Sequence, residues 1–378
     1  MADDRQSTPV NPGRHRARGG ASSARPSGRR RKRPSARRRA THITIWSVAS
    51  VLILGGAGAG YLYYKLNGNL TGVDVNAALG SDRPKNVDNG SMDILVLGSD
   101  SRAGKNAKYG KDEGGQRSDT AMIVHVYKGR KKASVVSIPR DTLIQRPSCE
   151  KDGKETPAVQ EAMFNSAYEA GGPACTIKTV EDMSGIRMDH FLEVDFSGFQ
   201  QLIDDLGGVD ITTTQAIHDP KSHLDLDPGP HTLNGEQSLG LVRTRHGVGD
   251  GSDLGRIKLQ QAFVKALLDQ IKSVNLFGNP KKLYDLANTS TKALTTDSEL
   301  ASVNKLSGFA KSLQGIGSGN MKMTTLPVQY DPNDPARVLP MESKTKLIWK
   351  ALRADKPIPA AASKGSAGDA NNAGDVVK

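Results

Sequence analysis

Residues 94–120 read ILVLGSDSRAGKNAKYGKDEGGQRSDT and contain two boundaries between apolar and polar sequence. The apolar run at residues 92–97 predicts a buried strand, which Gly98 ends. A second apolar run at residues 121–127 predicts another strand, which begins directly after Thr120. The two predicted strands therefore enclose one polar loop that is rich in Gly and Lys.

Carboxylates and guanidiniums lie at both ends of this loop. Asp100 and Arg102 follow the first predicted strand, and Arg117 and Asp119 precede the second. Open α/β sheets bind ligands at strand ends, where the sheet holds side chains rigidly. Carboxylates can hold Mg²⁺ and Arg forks can hold phosphate oxygens. The alternative is a surface loop with ordinary salt bridges, and the pairing of the two clusters at strand ends argues against it.

Strand and helix patterns alternate along the chain after residue 90. They predict an α/β fold, a three-layer α/β/α domain with a mixed central sheet, preceded by one transmembrane helix. The predicted strands are 92–97, 120–127, 133–138, 189–195, 209–213 and 321–328, and the predicted helices are 163–170, 174–184, 197–206, 234–242, 253–273, 279–288, 297–314 and 343–353.

The net charge of +12 is concentrated at the N-terminus. Of the 52 Lys and Arg residues, 13 lie in residues 1–42, beside 2 of the 40 acidic residues. The rest of the chain is therefore close to neutral, which argues against a nucleic-acid-binding domain. The segment is almost free of apolar residues, so it is predicted to be a disordered cytoplasmic tail that signals topology or contacts anionic lipid.

Residues 43–64 form an uncharged run, ITIWSVASVLILGGAGAGYLYY, that is long enough to span a bilayer as a helix. A cleaved signal peptide is the alternative, because Ala57-Gly58-Ala59 resembles a cleavage site. The basic flank predicts that the chain crosses the cell membrane once, with its N-terminus in the cytoplasm and residues 65–378 outside the cell. Within residues 65–378 we predict a linker at 65–90, a catalytic domain at 91–353 and a disordered tail at 354–378.

The chain has two cysteines, Cys149 and Cys175, which are too few for a zinc site. In a reducing cytosol they would be inert thiols. Outside a membrane the pair suggests a disulfide that closes a loop of roughly 27 residues, worth about 3 kcal/mol.

Further cations follow predicted strands or begin predicted helices. Arg140 comes after the strand at 133–138, and Arg243 and Arg245 project together if their segment is extended. Arg256 and Gln260 share one face of a helix, since they are four residues apart. Such cations at a helix start suit an anion site, although a solvated charged face is the alternative. Asp253 would then only complement the helix dipole.

Together these residues favour a substrate with several phosphate charges and a metal. The sequence contains no GxSxG, HExxH or P-loop motif. A lipid-linked pyrophosphate is such a substrate at a membrane face.

Several ordered motifs resemble the LytR–CpsA–Psr family of cell-wall glycopolymer ligases. They are the apolar anchor, LVLGSDSR, RSDTAMIVHV, SIPRDT, FNSAY, the run DHFLEVDFSGFQQLIDDLGGVDI, LNGEQSLGLVRTRH and DLGR with its Gln pair, and they cover roughly residues 91–275. The resemblance implies transfer of a polyprenyl-pyrophosphate-linked glycopolymer to peptidoglycan, as a phosphodiester at a muramic acid hydroxyl, with Mg²⁺ (or Mn²⁺). The Arg-rich tail and the Gly and Ala content suggest an actinobacterial member.

The resemblance also implies roles for individual residues. Asp100 and Asp119 would hold the metal or act as base, with Asp100 the first candidate for base. The pyrophosphate would be bound by Arg102, Arg117, Arg140, Arg243, Arg245, Arg256 and Gln260. The lipid would lie in an apolar slot, with the helix at 197–206 and the strand at 189–195 as candidate walls unless they serve core packing.

Two departures from the family pattern stand out. The family often has Arg directly before the Gln pair, whereas this chain has Leu259 there, so that contact is missing or comes from Lys258. The loop between Asp100 and Asp119 is also long and basic, which we expect to affect the choice of polymer or acceptor.

Two other functions stay open at this stage. The same groups would serve a pyrophosphatase that uses water as acceptor. A membrane-bound regulator acting through the basic tail is the third hypothesis, against which the near-neutral ectodomain and the Asp/Arg clusters argue. The expected partners are the lipid-linked polymer, peptidoglycan and the membrane, without nucleic acid.

Overall fold

The computed structural model describes residues 36–99, 118–151, 153–249, 251–274 and 278–377. The chain divides into two compact units, residues 1–58 and residues 59–378. A helix at Ala36–Asn69 includes the predicted transmembrane segment. Among the described residues, no helix combines the length and the apolar character that crossing a membrane requires.

The helices are α1 Ala36–Asn69, α2 Val75–Leu79, α3 Ser166–Ser184, α4 Phe196–Leu206, α5 Gly235–Arg243, α6 Asp253–Ser273, α7 Pro280–Ala293, α8 Val303–Leu313, α9 Glu342–Arg353 and α10 Ala367–Ala370. The strands are β1 Thr71–Val73, β2 Met92–Ser99, β3 Ser118–Val126, β4 Ala133–Ile138, β5 Leu143–Arg146, β6 Cys149–Lys151, β7 Lys154–Thr156, β8 Val159–Met163, β9 His190–Asp195, β10 Val209–Thr213, β11 Ile217–Asp219, β12 Leu224–Leu226, β13 Gly229–Leu233, β14 Leu294–Asp297, β15 Met321–Thr325, β16 Val328–Tyr330 and β17 Val338–Pro340.

Seven strands form the central sheet in the order β1-β14-β9-β2-β3-β4-β15. The pairs β2·β3 and β3·β4 are antiparallel, whereas β2·β9 and β4·β15 are parallel. The predicted mixed central sheet is therefore confirmed. Its strands β2, β3 and β4 are the apolar runs that the sequence predicted, because residues buried on both faces give nearly continuous hydrophobic sequence.

Alternate residues of these strands pack against different helices. Leu95 and Leu97 lie in a buried cluster with residues of α3 and α9. Ile94 lies on the opposite face, in a cluster that includes Phe309 and Leu313 of α8. Because side chains alternate across a strand, the sheet carries helices on both faces, which gives the three layers.

A second core lies beside the sheet and carries much of the site described below. The amphipathic helix α4 contributes Ile203 and Leu206, and α6 contributes Leu259 and Phe263. They pack with α5, α7 and the two-stranded sheet β10·β13. The apolar face of α4, expected to border a lipid slot, is thus engaged in core packing.

The domain begins earlier and ends later than predicted. β1 lies in the predicted linker and pairs with β14 at the edge of the sheet, and Val75 and Leu79 of α2 are buried. The segment after residue 353 is not the predicted disordered tail, because Ala373 and Val376 are buried in the second core. Its Ala, Gly and Asn composition resembles a disordered tail, but small residues also fit closely against a neighbouring surface.

Short hairpins occupy two segments in which the sequence analysis predicted no strand. Residues 143–163 form β5 to β8, and residues 217–226 form β11 and β12. The predicted helix at 297–314 is shorter, with β14 before it and α8 at Val303–Leu313. These strands have only three to five residues each, too few for a two-residue period to show.

Cys149 of β6 and Cys175 of α3 are joined by a disulfide. The first five residues of α3 are separated from the rest by non-helical Gly171 and Gly172. A Cβ atom at Gly171 would approach the Cβ atoms of both cysteines to 3.0 Å or less. Glycine at this break therefore lets the hairpin β6·β7 lie against the helix.

A buried charged cluster joins the sheet to the turn after α9. His125 is fully buried in β3, and its Nδ1 and Nε2 lie 2.8 Å from Asp93 Oδ1 and 3.2 Å from Asp355 Oδ1. Burial alone would lower the pKa of His125, but the hydrogen bonds and charges of both carboxylates outweigh it and raise the pKa above its ordinary value. The pKa of Asp93 is also raised, chiefly by burial.

We predict that His125→Gln destabilises the protein by about 3 kcal/mol at pH 6, because it leaves buried carboxylates without their cation. A histidine pKa raised by folding stabilises fully below the unfolded pKa and loses this effect as pH rises through the folded pKa. The loss should therefore be smaller at pH 9. Urea unfolding at both pH values measures it, with His218→Gln at an exposed histidine as control. Equal losses at the two pH values would contradict the prediction.

Candidate functional site

The candidate site lies at one edge of the central sheet. Asp119 is the second residue of β3, and Arg140 follows the end of β4 by two residues. Because β3 and β4 are antiparallel, the start of one lies beside the end of the other. Arg140 Nη1 contacts Asp119 Oδ1 at 2.5 Å, so the sheet brings together two groups that are 21 positions apart in the sequence.

Asp119 is an ionised carboxylate in an electropositive environment. Burial alone would raise its pKa, but the charges of Arg256 and Arg140 outweigh it and hold the pKa below its ordinary value. A carboxylate with a lowered pKa is a weak proton acceptor and a good partner for cations.

The first turn of α6 supplies the next wall. Ser252 caps this helix through a hydrogen bond from Gly255 N to its hydroxyl, and Asp253 and Arg256 lie three residues apart on one face. Asp253 and Arg256 form a close ion pair, and Arg256 Nη2 donates to the backbone oxygen of Asp119 at 3.1 Å. Arg256 is thus tied both to its own helix and to β3.

Asp253 is the anionic centre of the arginine cluster. Its Oδ1 lies 3.5 Å from Arg140 Nε and 3.9 Å from Arg245 Nη2, in addition to its contact with Arg256. The sequence analysis assigned Asp253 only a role at the helix dipole. Its position at the first residue of a helix could not show that Arg140 and Arg245, from two other segments, would join Arg256 around it.

Gln260 connects helix α6 to β3 and α5 by hydrogen bonds. Its Nε2 donates to Thr120 Oγ1 of β3 and to the backbone oxygen of Val242 in α5, both at 3.0 Å. Both amide protons are therefore used within the protein, which differs from the predicted contact to a phosphate. The next residue, Gln261, donates to Ser137 Oγ at 3.0 Å and likewise joins α6 to the sheet.

The segment after α5 adds two more guanidiniums. Arg243 is the last residue of α5, and its Cζ lies 5.1 Å from the centre of the Phe196 ring. Such a cation over an aromatic face is favourable. Arg245 follows the helix, and its backbone N donates to Asp219 Oδ2 at 3.0 Å.

Asp219 binds the backbone of three residues of the cavity wall at once, and the sequence analysis missed it. Its Oδ2 also accepts from His246 N and its Oδ1 accepts from Lys221 N, both at 3.0 Å. Burial alone would raise the pKa of Asp219, but these backbone hydrogen bonds outweigh it and lower the pKa. The available signal was an Asp before Pro220, which is also an ordinary turn pattern.

These walls enclose a cavity of about 280 Å³. Its lining residues are Asp119, Thr120, Arg140, Phe196, Asp219, Lys221, Ser222, Val242, Arg243, Arg245, His246, Arg256 and Gln260. The lining thus carries five Arg or Lys side chains and two carboxylates. Within the described part of the chain, the Nε atoms of Arg140, Arg245 and Arg256 are buried without a hydrogen-bond acceptor.

Unsatisfied donors of this kind cost about 1–3 kcal/mol each. A cluster of partly unsatisfied arginines therefore lowers the stability of the fold, but it is well suited to bind an anion that accepts the remaining hydrogen bonds. The size suits a small polyanionic group such as a diphosphate.

The remaining predicted residues fall into two groups. Asp100, Arg102 and Arg117, together with the long basic loop, lie outside the described residues. Lys258, suggested as a substitute phosphate contact, is on the face of α6 turned away from the cavity, against Gly374. Leu259 is buried in the second core, so neither residue replaces the family's arginine.

No group of three or more His, Cys, Asp or Glu side chains that could hold a metal ion occurs among the described residues. Mg²⁺ does not need such a group, because it commonly binds one or two carboxylates together with substrate phosphates and water. An ionised Asp119 at the cavity wall fits that donor set.

Comparison with known proteins places this site in a family context. The LytR_cpsA_psr family model matches residues 62–354. The chain is 32% identical over 316 residues to the cell wall biosynthesis protein LcpA of Corynebacterium glutamicum, an overlap that covers 75% of this chain and 59% of LcpA. The chain therefore spans about three fifths of the length of that relative.

A protein from Bacillus subtilis and one from Actinomyces oris extend the comparison. The polyisoprenyl-teichoic acid–peptidoglycan teichoic acid transferase TagT of Bacillus subtilis is 30% identical over 76% of this chain and 87% of its own. The structure titled "TagT bound to LIIa-WTA" has a TM-score of 0.55 at 25% identity, over 75% of this chain and 98% of that chain. The LytR-Csp2A-Psr enzyme from Actinomyces oris shares the fold, with a TM-score of 0.56 at 22% identity over 75% of this chain and 95% of that chain.

The family model covers more than half of the chain, and it includes every described residue of the arginine-lined cavity. The motifs around Asp119, Arg140, Arg243 and Arg256 thus predicted the relationship correctly, and the similarity to LcpA agrees with the predicted actinobacterial origin. The chain belongs to the LytR_cpsA_psr family.

Proposed function

We propose that this protein is a membrane-anchored, extracytoplasmic phosphotransferase that attaches a polyprenyl-pyrophosphate-linked glycopolymer to peptidoglycan through a phosphodiester. The observation that carries the proposal is the convergence of Arg140, Arg243, Arg245, Arg256 and Lys221 on one cavity with Asp119 at its wall. The names of LcpA and TagT, which concern cell-wall biosynthesis and teichoic acid transfer, support it.

The arginine cluster would bind the pyrophosphate before the reaction. Guanidinium forks match phosphate oxygens in geometry, and hydrogen bonds to charged groups contribute about 1.5–3 kcal/mol each. The binding would also relieve the repulsion among the arginines. Positioning and charge stabilisation are the main sources of acceleration in phosphoryl transfer.

In the transfer step, a hydroxyl oxygen of peptidoglycan attacks the phosphorus that carries the polymer. The bond from that phosphorus to the bridging oxygen breaks, and polyprenyl phosphate leaves with the bond's electron pair. The hydroxyl proton passes to a base, for which Asp100 is the candidate. Asp119 is the poorer base, because nearby arginines hold its pKa below the ordinary value.

Mg²⁺ (or Mn²⁺) would be held by Asp119 together with phosphate oxygens and water, and would neutralise charge that develops on the pyrophosphate. Asp119 would contribute an ionised carboxylate oxygen, while its contact with Arg140 fixes the side chain.

Residues 43–64 would anchor the protein as a single membrane span, with the basic N-terminus in the cytoplasm. Their freedom from charge and the Arg-rich flank support this orientation. The disulfide between Cys149 and Cys175 supports an oxidising location for the folded domain.

We predict that Arg256→Ala lowers the transfer rate by about 10- to 100-fold, the loss expected for one charged hydrogen bond. The assay supplies the full chain in detergent with a synthetic lipid-pyrophosphate donor, Mg²⁺ and purified peptidoglycan, and detects covalently attached polymer. Lys265→Ala is the matched control, because this exposed cation lies on the same helix away from the cavity.

The same assay separates the alternatives. Release of polyprenyl phosphate without attached polymer, in wild type and not in Arg256→Ala, would identify a pyrophosphatase. No donor turnover by wild type would contradict the proposal and leave the regulator hypothesis.

Asp219→Asn should raise the KM for the donor at least tenfold. The asparagine NH₂ group cannot accept a hydrogen bond, so one or two of the backbone N–H groups of Lys221, Arg245 and His246 lose their acceptor and these cavity residues shift. The free energy of unfolding should also fall by about 1–3 kcal/mol. Asp225→Asn, an exposed position on the neighbouring strand β12, is the control. Donor kinetics indistinguishable from wild type would refute the positioning role of Asp219.

Membrane topology is tested with alkaline phosphatase fusions. Phosphatase fused after residue 90 should be active, and phosphatase fused after residue 42 inactive, because the enzyme needs an oxidising compartment for its disulfides. An N-terminal epitope should remain on the membrane-bound full-length chain. Its loss would indicate a cleaved signal peptide, and the opposite fusion pattern would reverse the orientation.

A further inference from the structure

The C-terminal segment at residues 371–377 packs behind the helix that supplies Asp253 and Arg256. Thr214 N donates to the backbone oxygen of Val376 at 2.9 Å, and Thr214 Oγ1 donates to that of Asp375 at 3.0 Å. Thr213 and Val377 form an antiparallel bridge. We call this segment the C-terminal brace; it lies beyond residue 354, where the match to the family model ends.

The brace touches the face of α6 opposite to the cavity. Asp253, Arg256 and Gln260 follow one helical row toward the site. A second row lies two positions further along the chain and consists of Gly255, Lys258 and Ala262. Two residues at 100° each rotate the direction of the side chains by about 200°, so the second row lies on nearly the opposite face of the helix. Gly255 lies against Ala373, and Lys258 lies against Gly374.

Ala373 occupies a tight place at the start of this helix. It is fully buried. A Cβ atom at Gly249 would lie 3.1 Å from Ala373 Cβ, and one at Gly255 would lie 3.5 Å from it. The methyl group of Ala373 therefore fills the space between the loop that precedes α6 and the first turn of the helix.

That first turn is where the arginine cluster is assembled. Asp253, within its contacts to Arg140, Arg245 and Arg256, tolerates little displacement, because ion pairs depend on close approach. The first turn of α6 therefore contacts the charged cavity wall on one side and the brace on the other. A shift of the turn toward the brace would lengthen the contacts of Asp253 with Arg140 and Arg245, which belong to other segments.

We propose that the C-terminal brace is a positioning element for the pyrophosphate site, acting through the first turn of α6. The inference rests on the proposed function for the nature of the ligand. The brace does not contact the substrate. It fixes the position and orientation of the helical turn that carries Asp253 and Arg256.

The test compares Ala373→Leu with Ala370→Leu in the full chain in detergent. Both substitutions add the same side-chain volume, but Ala373 lies in the brace whereas Ala370 is exposed and precedes it. Binding of inorganic pyrophosphate with Mg²⁺, measured by calorimetry, should weaken at least tenfold in Ala373→Leu and stay unchanged in Ala370→Leu. Ala373→Ser, which fits the same space, should bind as wild type does. Deletion of residues 371–378 should weaken binding as Ala373→Leu does.

Hydrogen exchange supplies a second readout that does not require pyrophosphate to be the ligand. Amides of residues 253–260 should exchange faster in Ala373→Leu and in the deletion variant, while those of β2, β3 and β4 keep their wild-type protection. If wild type fails to bind pyrophosphate, the proposed function is in doubt, and local exchange alone decides on the brace. Unchanged exchange at 253–260, or equally increased exchange throughout the domain, would overturn the inference.

Discussion

The site depends on holding several guanidinium groups close together, which their mutual repulsion opposes. Two unit charges 4 Å apart interact by about 4 kcal/mol at the effective dielectric constant of a protein surface. Asp253 offsets this repulsion from the centre, since Arg140, Arg245 and Arg256 all approach one of its oxygens. Asp119 offsets it from the side of the sheet. The carboxylates leave a surplus of positive charge, and a substrate carrying two phosphates would neutralise it.

Three parts of the fold must meet for this arrangement to exist. The central sheet places Asp119 beside Arg140 through the antiparallel pairing of β3 and β4. Helix α6 lies beside them, with Leu254 of its first turn in the core on the sheet and Leu259 and Phe263 in the second core. The hairpin β11·β12 presents Asp219, whose carboxylate fixes the backbone at Arg245. Packing of the two cores therefore sets the distances within the cavity, so substitutions far from the charges can affect binding.

The sequence predicted the parts of this site that depend on local pattern. Strong apolar runs located β2, β3 and β4, and helical spacing located α6 and placed Arg256 at its start. The role of Asp253 required knowing which segments meet, which no local pattern contains. Asp219 was missed because a carboxylate that accepts backbone hydrogen bonds in a hairpin looks the same in sequence as any turn Asp.

The C-terminal segment shows a different limit. Its composition is that of a flexible tail, and composition reports only how much apolar surface a segment can bury by itself. Ala373 and Val376 are buried against a surface that the rest of the chain supplies. Gln260 gives the converse case, because helical spacing placed it on one face with Arg256, while its amide group joins β3 and α5.

The most direct test of the account is a crystal structure of the folded domain with a non-hydrolysable polyprenyl pyrophosphate analogue. The account predicts that both phosphorus atoms lie in the cavity between β3, α5 and α6. Phosphate oxygens should lie within hydrogen-bonding distance of Arg140, Arg245 and Arg256. A diphosphate bound elsewhere on the domain, with the arginine cluster unchanged and still closed on Asp253, would contradict the central claim.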